Sequence, residues 1–350
     1  MSGGQRPAKK ILRKTRESLE ASGLLEHCGA GRREENLRVM TYNVRYFGHP
    51  TRGITSTESA LRGIAAAIGK LNPRPDIIAL QEVESHSLRA DAGRKREAPQ
   101  IERLVQRLNA QQAETGPSVR YSHLYFPSHT YSLTPRAALY TTGLAILVSD
   151  RIELTETQPA IDITHRRLKL TKRWKQTRIC AHVSLTHKSS GERLDVYNTH
   201  LSLPQFLTWR SVTFTKQMGS GANQLYELFA LLDYIEESKC SDNVLLMGDF
   251  NSLPGSLVYD YVHEHTNLAD PLRDHLGLDT PDYRKLPSAG FMNFKMRLDY
   301  LFASRHLTWS EFDSSVAFGA ESPFLGLSDH APIIGRLDVP SLVSTQLVAA

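Results

Sequence analysis

Cysteine is scarce in this sequence: Cys28, Cys180 and Cys240 are the three in 350 residues. Scattered and odd in number, they exclude a disulfide framework and a cysteine-built zinc site. Also lacking is any apolar run near the roughly 18 residues that a bilayer span needs. The basic N-terminus has no apolar segment behind its charges, so no secretory signal is expected. No glycine-rich phosphate loop follows a strand-like segment, which argues against a nucleotide-dependent kinase or dehydrogenase. No repeat of solenoid length recurs. With 40% hydrophobic and 23% charged residues, the chain reads as an ordinary globular protein, expected in the cytoplasm.

Positive charge is in small excess and unevenly placed. The net charge is +5, and residues 1–36 hold eight Lys/Arg against five Asp/Glu. The rest of the chain is nearly balanced, so a pI of 9.0 says little about nucleic-acid binding by the folded body. Residues 1–36 are expected to be a flexible basic arm, 37–338 a single large domain, and 339–350 a loose tail.

Within that domain, Arg38–Val44 has the mixed β-branched and aromatic character of a strand. Ser56 or Thr57 then caps a helix with its apolar face on Leu61, Ile64, Ala65, Ile68 and Leu71. Pro73 and Pro75 stop that helix, and Asp76–Gln81 is long and apolar enough for a buried strand. A second helix fits Ile101, Leu104, Val105 and Leu108. Gly143–Val148 reads as a further buried strand. Arg178–Leu185 and Arg193–Asn198 flank Lys188–Gly191, a hairpin signal. A helix over 223–237 should bury Leu225, Leu228, Phe229, Leu232 and Ile235. Val244–Met247, Leu298–Phe302 and Pro332–Leu337 complete the strands. Strands interleaved with few helices favour two packed, mixed sheets with helices outside, an α/β fold.

The informative feature is where the strands end. Apolar segments stop abruptly at Asn43, Glu82, His200, Asp249 with Asn251, Asp299, and Asp329 with His330. Each alone has a structural explanation: Asn43 could close a turn, Asp249 could form an Asx turn, and a lone histidine is usually structural. Six strands ending this way in one chain point instead to a shared cleft. Glu82, Asp329 and the amide of Asn43 are hard oxygen ligands suited to Mg²⁺ or Mn²⁺ rather than zinc. Two histidines can stabilise or protonate phosphoryl oxygens, and a further carboxylate can orient one imidazole. With no serine triad or reactive cysteine required, direct attack by water is the simplest route.

The blocks Thr41-Tyr-Asn43, Leu80-Gln-Glu82, Asn198-Thr-His200, Gly248-Asp-Phe-Asn251, Arg297-Leu-Asp299-Tyr and Ser328-Asp-His330 resemble, in order, the signatures of the endonuclease/exonuclease/phosphatase superfamily. The resemblance covers about Leu37 to Leu337. The group includes DNase I, abasic-site endonucleases, neutral sphingomyelinases, deadenylases and inositol-polyphosphate phosphatases. It implies a four-layer α/β sandwich of two mixed sheets flanked by helices. It also implies Glu82 as principal metal ligand, completed by Asn43 and Asp329. Asp249 would position or deprotonate the attacking water, and Asn251 and His200 would hold phosphate oxygens. His330, oriented by Asp299, would stabilise the transition state. Arg45 stands where some nucleases of the group carry an acid. It implies one fewer metal contact or one more phosphate contact, and it leaves the number of metals open.

Two segments outside these blocks bear on substrate. Between 166 and 178 lie Arg166, Arg167, Lys169, Lys172, Arg173, Lys175 and Arg178 around Trp174, with no acid from 163 to 191. This suits a nucleic-acid strand or a phosphorylated head group, or else an edge strand protected by charge. Residues 203–219 carry Phe206, Leu207, Trp209 and Phe214 beside Arg210 and Lys216, which suits a peripheral membrane contact or a packed loop. The expected activity is a nuclease-type phosphodiesterase acting as a monomer, with Arg45 and Arg178 on the substrate. A phospholipid or sphingomyelin phosphodiesterase, a soluble sugar or inositol phosphatase, and a non-catalytic binding protein on the same fold remain open.

Overall fold

Val39 and Met40 are both fully buried yet face opposite sides of their strand, and this alternation builds the whole molecule. The structure is a computed structural model. It describes residues 36–49, 57–87, 98–111, 119–134, 137–165, 176–204, 218–278, 286–291, 294–313 and 321–339. The basic arm 1–35, residues 88–97 with their basic Arg89, Arg94, Lys95 and Arg96, the stretch 166–175, the segment 205–217 and the tail 340–350 lie outside the described residues.

The first half of the chain runs β1 (Leu37–Asn43), α1 (Glu58–Gly69), β2 (Ile77–Ser87), α2 (Gln100–Ala110), β3 (Tyr121–Thr134), β4 (Ala137–Ser149), β5 (Ile152–Thr157) and β6 (Ile161–Asp162). It continues through β7 (Ile179–His187), β8 (Arg193–His200), α3 (Ala222–Ser238), β9 (Val244–Asp249), α4 (Leu257–His265), β10 (Leu268–Ala269) and α5 (Pro271–Leu276). The short hairpin β11 (Ala289–Phe291) and β12 (Phe294–Met296) precedes β13 (Asp299–Ser304), β14 (Thr308–Phe312) and β15 (Ile333–Asp338). One sheet has the order β14-β15-β1-β2-β4-β3 and the other β10-β13-β9-β8-β7-β5, with β6 also on β7.

Each sheet is mixed for the same reason. Its central pair, β1 with β2 or β8 with β9, is parallel, because a helix carries the chain back across the sheet between them. Parallel strands flanked on both sides are buried on both faces, which explains the apolar runs Ile77–Leu80 and Val244–Met247. Val39, Ile77, Ile146, Val183, Val196 and Met247 fill the space between the sheets. Met40, Ile78 and Leu147 pack outward on α1 and α2, while Tyr197, Leu246 and Phe302 pack outward on α3 and α4. The result is a four-layer α/β sandwich. Burying one such side chain contributes about 1.5–3 kcal/mol. Among the described residues no helix is long and apolar enough to cross a membrane.

Two elements bear on the site. Thr57 caps α1 through a hydrogen bond from the Ala60 amide, 3.1 Å. In α3 the buried side differs from the apolar periodicity. Asn223, Gln224, Glu227, Leu228, Leu231, Tyr234 and Ile235 are buried, whereas Phe229 is 42% exposed. The helix is turned so that the polar residues of its first turns face the strand ends, where they have backbone groups to bind.

Candidate active site

The parallel pairs bring their C-terminal ends to one side of the sandwich. Register sets the neighbours: Asn43 lies beside Gln81, and Asp249 is flanked by His200 on one side and Asp299 on the other. Gly248 makes the β8–β9 approach possible, because a Cβ there would lie 2.1 Å from the Thr199 carbonyl oxygen. Beneath the site the sheets are pinned by amides. Gln81 donates to Asn198 (2.8 Å) and Thr41 (3.1 Å), and Asn198 donates to the Leu80 and Ala145 carbonyls.

Glu82 leaves the sheet plane at a break in the β2–β4 register between Leu80 and Val83, with φ at +55°. Asn251 has φ of +48°, and Arg45, Tyr46 and Phe47 form a left-handed turn directly after β1. Such conformations cost a non-glycine residue about 1–3 kcal/mol each and persist only where surrounding contacts enforce them. Here they gather around one cleft.

Asn43 Nδ2 donates to Asp249 Oδ2 (3.0 Å), and its Oδ1 accepts the Arg45 amide (3.0 Å). One lone pair of Oδ1 is left for a further partner. Asp249 Oδ1 accepts the Asn251 amide at 3.0 Å. The Asn251 side chain donates to the Leu201 carbonyl (2.9 Å), and Gln224 holds the Asn251 carbonyl (2.9 Å). Glu227 receives both the amide and the hydroxyl of Ser202, at 2.8 and 2.7 Å. These contacts give the polar face of α3 its role: it fixes the turns that follow His200 and Asp249. Polar residues at positions 223, 224 and 227, spaced as a helical face, were the sequence signal for it.

The two histidines differ in charge. His330 Nδ1 is 2.8 Å from Asp299 Oδ2, and its Nε2 is 3.8 Å from Asp249 Oδ2. Burial alone would lower its pKa, but Asp299 and Asp249 outweigh that and push it up to about 10. His200 Nε2 lies 3.5 Å from Asp249 Oδ2 and 4.0 Å from Glu82 Oε1. Burial, with Arg178 and His330 nearby, pulls its pKa well below the usual value. The surroundings thus favour the charged form of His330 and the neutral form of His200. Burial also raises the Asp249 carboxyl, with Asp299 adding to the effect.

Arg45 does not stand free. Its guanidinium rests on Asp329 Oδ2 at 2.8 Å. Arg178 immediately precedes β7, where its charge acts on both Glu82 and His200. Its Nε is buried with no partner among the described residues. All ten residues expected from the sequence are brought to this one end of the sandwich, with Arg45 spent on Asp329.

Glu82, Asp329 and the open lone pair of Asn43 make an all-oxygen donor set, the kind that suits Mg²⁺ or Mn²⁺. Burial raises the Glu82 carboxyl and Asp329 adds to it, so a cation would be stabilised there. Asp249, Asp299 and His330 also bring ligand-type atoms within 4.8 Å of one another. Within that trio one hydrogen bond joins His330 to Asp299, and His330 Nε2 stands 3.8 Å from Asp249 Oδ2.

A four-layer sandwich with two histidines and a set of carboxylates at the ends of its central strands defines a phosphoesterase-type hydrolase fold. The profile of the Endonuclease/Exonuclease/phosphatase family matches residues 40–330, and the chain belongs to that family. No curated protein is matched significantly by sequence. Among solved structures, an endonuclease/exonuclease/phosphatase from Beutenbergia cavernae is similar at 20% identity and TM-score 0.59, covering 87% of this chain and 72% of that one. The human Nocturnin catalytic domain with bound sulfate aligns at 20% identity and TM-score 0.55, covering 88% and 94%. A mannosyl-6-phosphatase from Bacteroides thetaiotaomicron aligns at 18% identity and TM-score 0.55, covering 86% and 99%. At these identities the likeness is one of fold.

Proposed function

We propose that the chain is a Mg²⁺- or Mn²⁺-dependent phosphodiesterase of nuclease type that hydrolyses its substrate by direct attack of water. The observation that carries this reading is the placement of two histidines, His200 and His330, at 3.5 and 3.8 Å from one buried carboxylate oxygen, Asp249 Oδ2. Asp249 takes the proton of the attacking water, a task helped by a pKa raised from the ordinary carboxylate range. His330, held as imidazolium by Asp299, stabilises charge developing on a phosphoryl oxygen. His200 donates a neutral hydrogen bond to another, and Asn251 holds a third with its second amide hydrogen. Glu82, Asp329 and Asn43 would hold the metal, whose chemistry is to polarise a phosphoryl oxygen and offset charge on the leaving group.

Support for a nucleic-acid substrate comes from Arg178, the last residue of the basic stretch and one that acts on the site. A second reading is a soluble sugar phosphatase; the small recess beside His200 brings the polar side chains of Ser128, Thr142, Gln176 and Thr177 to the edge of the site. The mannosyl-6-phosphatase neighbour accords with it. The deciding experiment is hydrolysis with Mg²⁺ and with excess EDTA. Substrates would be plasmid DNA, single-stranded DNA, RNA, sphingomyelin liposomes and sugar phosphates. Metal-dependent cleavage of nucleic acid is expected. Release of inorganic phosphate from sugar phosphates alone would select the second reading, and hydrolysis confined to liposomes would select a lipid enzyme. No hydrolysis of any substrate would leave a binding protein.

A further inference from the structure

We infer that Ser288 is the residue that positions the Asp299–His330 pair, an assignment that rests on the phosphoesterase reading above. A serine hydroxyl has one hydrogen to give and two lone pairs to accept with. Both acceptor positions of Ser288 Oγ are filled, by the amides of Leu298 and Asp299, each at 2.9 Å. The single hydrogen is thereby forced toward Asp299 Oδ2, 2.7 Å away. That same oxygen accepts from His330 Nδ1 at 2.8 Å. Asp299 Oδ1 is buried without a partner among the described residues. The carboxylate therefore makes its side-chain hydrogen bonds through one oxygen, and turning it would break both together.

The backbone of the same residue holds the histidine. The Ser288 carbonyl accepts the Ala331 amide at 2.7 Å, Gly290 donates to the Asp329 carbonyl at 2.7 Å, and Ala289 bridges to His330. The Ser288 amide in turn donates to the Met296 carbonyl at 2.9 Å, tying the segment to β12 and so to the start of β13. Asp299 opens β13, and His330 stands 31 residues further on, in the segment before β15. One short segment sets the distance between them: its hydroxyl fixes the carboxylate and its backbone fixes the imidazole. The orientation leaves His330 Nε2 directed at Asp249 and the substrate side.

The role is separable from packing. Wild type, Ser288→Ala, Ser288→Thr, Asp299→Asn, His330→Ala and Ser288→Ala/Asp299→Asn would be compared on bis(p-nitrophenyl) phosphate, with thermal unfolding as the control for folding. Ser288→Ala should lower kcat about ten- to a hundredfold, the weight of a hydrogen bond to a charged group, with KM nearly unchanged. Ser288→Thr, which keeps the hydroxyl, should restore most of it; if threonine does not fold, Ser288→Cys takes its place. The double variant should be no slower than Asp299→Asn. The downfield proton resonance that His330→Ala removes should shift in Ser288→Ala. Wild-type kcat in Ser288→Ala, beside an inactive His330→Ala, would overturn the assignment. So would full additivity with Asp299→Asn. Wild-type activity in His330→Ala would instead sink the catalytic reading itself. The resonance, which needs no turnover, would still report on positioning.

Discussion

His330 Nδ1 and Asp299 Oδ2 are 2.8 Å apart, and this contact makes the site's two histidines chemically unlike. His200 has no comparable carboxylate on its ring: its nearest, Asp249 Oδ2, is at 3.5 Å and is already bound by Asn43. One ring is held toward its charged form and the other toward its neutral form.

The charge difference predicts the pH profile. His330 must be protonated, and its raised pKa keeps it so until pH approaches about 10. In Asp299→Asn the largest opposing influence, burial, is left less well countered, so the alkaline limb should move toward neutral pH. For stability the sign is the same. The pair's contribution is fully present below the ordinary histidine pKa of 6.5 and is lost as pH rises through the folded value near 10. An alkaline limb that does not move in Asp299→Asn would disconnect the pair from catalysis.

His330→Ala and Asp299→Ala should slow the same step, His330→Ala more severely. An orienting carboxylate acts only through its histidine, so the double variant should be little worse than His330→Ala alone. Losses that simply add in log kcat would show independent roles.

Glu82→Ala should abolish metal binding with the fold intact, since it removes a strained, desolvated carboxylate set at the break in β2. Activity should fall by on the order of 10²–10³ or more, as for loss of a principal electrostatic group. Mn²⁺ titration followed by electron paramagnetic resonance reads binding directly. Full turnover of the wild type in excess EDTA would remove the metal from the mechanism.

Gly248→Ala tests the β8–β9 approach. Its Cβ would meet the Thr199 backbone at 2.1 Å, and backbone cannot rotate away as a side chain can. A loss of about 1–3 kcal/mol is expected, the range for overpacking, with activity falling because His200 and Asp249 flank the clash. Urea unfolding would measure the first and kcat the second.

Replacing Arg167, Lys169, Lys172 and Arg173 with Ala tests the nucleic-acid reading. Each lost phosphate contact should lower the slope of log affinity against log salt by about 0.7–0.9. Turnover of bis(p-nitrophenyl) phosphate should barely change, because that substrate has no flanking phosphates. An unchanged salt slope in a folded variant would remove the stretch from the substrate site.

Much of this protein was legible in its sequence, for a physical reason. Strands buried on both faces are largely apolar, so a polar residue at the end of one is conspicuous: Glu82 and Asp249 close the runs that begin at Ile77 and Val244, and Asn43 and His200 end strands in the same way. The faces of α1 and α2 were legible too, because their buried sides are apolar throughout: Leu61, Ile64 and Ile68, then Ile101, Leu104 and Leu108. The face of α3 was not. Periodicity places Phe229 in the core, but a helix that closes over strand ends must satisfy backbone groups, so Gln224 and Glu227 are turned inward instead.

What the sequence by itself determined is the set of chemical groups and the strand ends that carry them. Only the tertiary structure decided how they are paired. Register across β8, β9 and β13 puts Asp249 between His200 and Asp299, and a break in β2 turns Glu82 out of its sheet. The Arg45 guanidinium goes to Asp329, and the Ser288 hydroxyl goes to Asp299. Local sequence specifies which side chains are polar through burial, a property each strand carries alone. Distances between side chains on different strands depend on how the two sheets pack, and no single segment encodes that.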